Sequence, residues 1–151
     1  MTEELTIRTV LVMVDGTDNG VRATRYAARL AALHGADLAA IAVVDTATLK
    51  SLLKSSVLVE AEMKEFDEEL QLSARTNLNY AETLAKDAGV PVTLLLEKGA
   101  THSIVIEQAR RLDPDLLVMG SFTTSMIKRD LSARARRLIV DEVRCPILLV
   151  T

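Results

Sequence analysis

Hydrophobic positions are bunched rather than alternating along this 151-residue chain. Five short runs stand out: Val10–Val14 (VLVMV), Leu38–Val44 (LAAIAVV), Val92–Leu96 (VTLLL), Leu116–Met119 (LLVM) and Ile147–Val150 (ILLV). Runs of this length without polar alternation predict strands buried on both faces. Between them, apolar residues recur every three or four positions, the spacing of helices packed along one side. Asn19–His34 predicts a first helix, with Thr17, Asp18 and Asn19 as candidate caps and Gly35 as its stop. A long helix from about Val57 to Ala88 is carried by Phe66, Leu70, Ala74, Ala81, Leu84 and Ala88. Gly89 supplies its left-handed end and Pro91 prevents continuation. Thr101–Leu112 places Val105, Ala109 and Leu112 on one face. A last helix, about Asp130 to Val143, turns Ala135, Leu138, Ile139 and Val143 inward.

The order βαβ, long helix, βαβαβ predicts an α/β fold, a parallel sheet with helices on both faces. No boundary or repeat divides the chain, so residues 1–151 are expected to form one domain. Thr46–Ser56 (TATLKSLLKSS) reads equally as a loop or as a short lid helix. Its place, after a strand, is where open α/β sheets bind ligands.

Composition narrows the class. Hydrophobic residues make up 49% and charged residues 26%, an ordinary globular balance. The formal net charge of −3 speaks against nucleic acid as a partner. The one cysteine, Cys145, excludes an internal disulfide and fits a reducing compartment. No apolar run is long enough to span a membrane, and MTEELTIRT has no signal-peptide core. The expectation is a cytoplasmic protein without membrane or nucleic-acid partners.

Candidate chemistry gathers at the strand ends. Asp15 follows the first strand and opens the loop DGTDNG; it reads as a ligand contact or as a turn former and helix cap. Asp45 ends the second strand, where a turn is the simpler role. Gly120 closes the fourth strand, where its bare backbone lets a ligand or loop come close. Beyond it, six basic residues between Lys128 and Arg144 face three acids. Arg136 and Arg137 read as a solvated face. Arg134 stands out, because a cation near a helix start is unfavourable without an anion or acid beside it. Glu60–Glu69, with six acids and one lysine, reads as an exposed helix face. His34, His102 and Cys145 lack partners at metal-ligand spacing and read as structural. Ser121, Thr123, Thr124, Ser125 and Ser132 have no adjacent base, so they do not read as nucleophiles; they could be phosphorylated or simply cap turns.

Taken together, VLVMVDGTDNG, LAAIAVVD, EKGATHSIVIEQARRLDPDLLVMGS and the terminal CPILLV resemble the universal stress proteins over nearly the whole chain. The resemblance implies a three-layer sandwich with a five-stranded parallel sheet, Rossmann-like and related to the adenine nucleotide α-hydrolase fold. It also implies homodimers built through the last strand, here Cys145–Thr151. Nucleotide-binding members carry a glycine, two residues, a glycine, nine residues, a glycine and then serine or threonine. Laid on this chain from Gly120, the later positions fall on Thr123, Ala133 and Arg134. The phosphate side therefore transfers only at Gly120 and, weakly, Ser121. The adenine and ribose side transfers at Asp15, Val43 and Met119. A family subgroup lacks the glycine motif and does not bind ATP, and this loop resembles it.

Three functions follow as expectations. The first is a non-enzymatic regulatory or interaction protein of the stress response, with a degenerate ATP site closed by an Arg134–Asp130 pair and no cofactor. Its protein partners are unknown. The second is a nucleotide switch for ATP, AMP or a cyclic nucleotide, with Arg134 as the phosphate ligand. The third, an ATP pyrophosphatase, is disfavoured because DGTDNG lacks the serine and paired glycines of those enzymes.

Overall fold

The computed structural model describes residues 5–55, 59–121 and 126–151, without the side chains of Thr48 and residues 126–133. Strand β1 (Thr9–Met13) leads to helix α1 (Asp18–His34), then β2 (Asp37–Asp45) and the short helix α2 (Thr46–Lys54). The long helix α3 (Glu60–Asp87) precedes β3 (Val92–Gly99) and α4 (Thr101–Leu112). Strand β4 (Leu116–Gly120), helix α5 (Met126–Glu142) and β5 (Ile147–Val150) complete the order. The five strands form one parallel sheet in the order β3-β2-β1-β4-β5.

The sheet has a core on each face. One holds Val10, Val12 and Val14 with the α1 alanines Ala23, Ala27, Ala28 and Ala31, and Ala74, Leu78, Ala81 and Ala85 of α3. Alanines let α1 lie close on the central strands. The other holds Leu11, Met13, Ile41 and Met119 against Val105 and Ala109 of α4 and Ile139 of α5. Alternate residues of one strand thus serve opposite layers.

Local chemistry sets the ends of the elements. Thr17 caps α1, its hydroxyl accepting from the Gly20 N–H at 3.0 Å. Gly35 ends α1 at φ 61°. Asp113 ends α4 in the left-handed region, at φ 47°. Asp115 then accepts the backbone N–H groups of Arg8 and Thr9 at 2.8 and 3.0 Å, tying the start of β4 to the start of β1. Two structural tasks therefore fall on the acids of Asp113-Pro114-Asp115.

Two expectations change, and one open alternative is decided. The runs at β3 and β5 belong to edge strands, and most of their residues are only half-buried. Phe66 and Ala88 are exposed; Leu78 and Ala85 join Ala74 and Ala81 on the packed side of α3. Thr46–Lys54 forms a helix rather than a loop.

Candidate functional site

In this strand order the chain winds outward in both directions from β1 and β4. That switch point opens a crevice at the carboxyl edge of the sheet, where such folds take ligands. The residues leaving β1 and β4 there are Asp15 and the pair Gly120-Ser121.

Asp15 uses its two carboxylate oxygens differently. Oδ1 accepts the Thr17 N–H at 3.0 Å and the Thr17 hydroxyl, and so holds the residue that caps α1. A Cβ at Gly20 would meet this Oδ1 at 1.8 Å, so glycine is required while Asp15 keeps this position. Oδ2 faces the guanidinium of Arg136 at 3.4 Å. The Arg136 side chain is 6% exposed and that of Asp15 29%.

This contact corrects the expectation that Arg136 is solvated. Helical spacing explains it: Arg136 and Ile139 share the inner stripe of α5, and Val143, just past its end, packs on the same core. Charge suggested the outside, and periodicity, followed without regard to charge, would have placed Arg136 inside. Arg137 is exposed, as expected. Arg134 is exposed as well; two residues before Arg136, it points about 200° away around the helix. The expected Asp130 partner of Arg134 lies among side chains outside the described ones. So do the side chains of Ser132 and Ala133, and Thr123, Thr124 and Ser125 lie outside the described residues altogether.

Gly120 has a structural reason to be glycine. A Cβ there would sit 2.8 Å from the carbonyl carbon of Asn19 and 2.8 Å from the nitrogen of Gly20. The end of β4 thus lies directly on the capped start of α1. Ser121 continues the contact, its hydroxyl accepting from Asn19 Nδ2 at 3.0 Å. Met119 is fully buried in the α4 and α5 core, and Val43 is half-buried against the same core. The switch point therefore brings together Asp15, Gly120, Ser121 and Arg136, with Met119 in the layer beneath.

Asp45 lies at the other side of the carboxyl edge. Its Oδ2 accepts the Thr101 hydroxyl at 3.0 Å, linking the end of β2 to the start of α4. Burial pushes the Cys145 thiol above its ordinary range, helped by the negative charges of Asp113 and Asp115, although backbone hydrogen bonds pull the other way. A raised thiol is a poor nucleophile at neutral pH. Among the described residues, no group of three His, Cys, Asp or Glu side chains could hold a metal ion. No helix among them is long and apolar enough to cross a membrane.

A parallel five-stranded sheet with an acid and a close-packed glycine at its switch point defines an open, Rossmann-like α/β protein. The family model of the universal stress proteins matches residues 6–151, and the chain belongs to that family. A universal stress protein of Methanocaldococcus jannaschii is 24% identical over 141 residues, covering 93% of this chain and 80% of the relative. Among solved structures, a universal stress protein in complex with cAMP superposes with a TM-score of 0.67 at 23% identity, covering 96% of this chain and 97% of its own. The Archaeoglobus fulgidus universal stress protein in complex with dAMP gives 0.64 at 15% identity, covering 98% and 100%. At these identities the structural likeness supports the fold.

Proposed function

We propose that this chain is a non-catalytic regulatory or interaction protein of the stress response, working in the cytoplasm with a degenerate nucleotide site. The observation that carries the reading is the Arg136 guanidinium, buried beside Asp15 at the switch point. An acid that could receive a ribose or an adenine amino group faces a cation of the protein itself. The sequence of the following loop agrees, since Thr123, Ala133 and Arg134 replace two glycines and a hydroxyl residue. A phosphate cradle needs backbone N–H groups that can turn inward without a side chain in the way.

The test is thermal unfolding with ATP, AMP and cyclic AMP, each with and without magnesium. The expected result is no shift at millimolar nucleotide. A ligand at 100 times its Kd would add about 2.7 kcal/mol, or roughly 5–10 °C for a chain of this size. A shift of that order would defeat the degenerate-site reading.

The second reading is a nucleotide switch, favoured by relatives in complex with cAMP and dAMP and by Asp15 and Gly120 at the switch point. It makes Arg134, exposed midway along α5, the phosphate ligand. Binding by the native chain that is lost in Arg134→Ala would establish it.

Dimerisation through β5 belongs to the same proposal. Leu149 is 45% exposed on this edge strand and Val140 of α5 is 43% exposed. An apolar strand edge of this kind favours pairing with a second copy. Leu149→Asp is expected to convert a dimer to a monomer in sedimentation; an unchanged mass would remove β5 as the interface.

A further inference from the structure

A second cleft opens away from the switch point, between α2, the first turns of α3 and the end of β3. Its volume is about 440 Å³, within the range of small-molecule sites. Leu49 and Leu53 of α2 and Met63 of α3 give it an apolar floor, with Leu49 only 2% exposed. Three lysines reach it from three different elements: Lys50 from α2, Lys64 from α3 and Lys98 from β3. Lys98 lies on the same face of β3 as Leu94 and Leu96, which pack against the α1 and α3 core. The cleft is therefore on that layer, whereas Arg136 belongs to the α5 layer.

The charges favour an anion. None of the three lysines makes an ion pair among the described residues. Two carboxylates also line the cleft. Asp67 accepts a hydrogen bond from Gln71 at 2.9 Å, along its own helix. Glu60 stands in the first turn of α3, where the helix dipole already offsets a negative charge. Among the lining residues three lysines stand against these two acids, one cation in excess in a chain of net charge −3. Lysines on one helix would read as a solvated stripe, their stems lying along apolar surface. Convergence of three elements around an apolar floor reads as a site.

We propose that this cleft binds a small amphipathic anion, a carboxylate head on a short acyl or aryl body. The body lies on Leu49, Leu53 and Met63, and the head is held among Lys50, Lys64 and Lys98. This inference is independent of the nucleotide reading.

The test uses octanoate as the probe, with octanol and octylamine as its uncharged and cationic counterparts. Octanoate is expected to bind in the millimolar range or tighter and to move the Met63 methyl resonance in a spectrum of the methyl-labelled protein. Octanol should bind more weakly and octylamine not at all. Lys50→Gln/Lys98→Gln, both at exposed positions, should keep the native far-UV spectrum and weaken octanoate binding about tenfold. Octanol binding as tightly as octanoate would overturn the proposal, as would an unmoved Met63 methyl or unchanged affinity in the double variant.

Discussion

Gly120→Ala is expected to lower the unfolding temperature by about 2–12 °C, the effect of about 1–3 kcal/mol of overpacking in a chain of this size. The added methyl would stand 2.8 Å from the backbone of Asn19 and Gly20. Backbone at a capped helix start cannot turn aside as the far end of a long side chain does. The helix would have to back away from β4, against the Thr17 cap and the alanine-lined contact of α1 with the sheet. Gly16→Ala is the control: in the same loop region its Cβ would meet Asn77 Nδ2 at an ordinary 3.5 Å. That substitution should change stability by no more than about 0.5 kcal/mol. Melting curves of the two variants decide the matter. If they coincide, the close approach of β4 to α1 is not a constraint, and Gly120 needs another explanation. A wide gap without any ligand present means the glycine serves packing even where no phosphate binds.

That outcome bears on what a sequence can reveal here. The apolar runs at β1, β2 and β4 were legible because those strands are flanked on both sides in the sheet and covered on both faces. The end of β3 was not. Glu97, Lys98 and Gly99 continue its ladder against Val43, Val44 and Asp45, yet at a sheet edge polar residues are tolerated and the apolar signal stops at Leu96. The long helix was legible from its period and its glycine stop, but its first turns include the exposed Phe66, so the apolar pattern ran past its contact with the sheet. Asp15, Gly120 and Ser121 could be placed at one edge from strand order alone. Arg136 could not, because its partner Asp15 lies 121 positions away. A charged residue on an inner helical stripe is explained only by a contact that sequence spacing does not display. Arg134 occupies the family-pattern position, whereas the residue that reaches the acid is one half-turn further on.

Arg136→Met is expected to destabilise the protein by about 2–4 kcal/mol, somewhat below a fully buried pair because Asp15 keeps some access to water. Methionine fills much of the volume and removes the charge, so the loss includes that of the carboxylate left facing an apolar neighbour. Asp15→Asn alone should also destabilise, by removing the charge that faces the guanidinium and weakening the hold on Thr17. The double variant should be more stable than the two losses added together, with a coupling of about 1–3 kcal/mol. Urea unfolding of the four proteins measures that coupling directly, and a value near zero would mean that the 3.4 Å contact carries no stability. Arg136→Ala, at the same position, then separates the two functional readings. If Arg136 closes the site, trimming it to alanine frees Asp15, and nucleotide binding absent from the native chain becomes detectable in the variant. If the native chain binds nucleotide and Arg136→Ala abolishes it without unfolding the protein, the buried cation is part of a working site, and the proposal of a degenerate one fails.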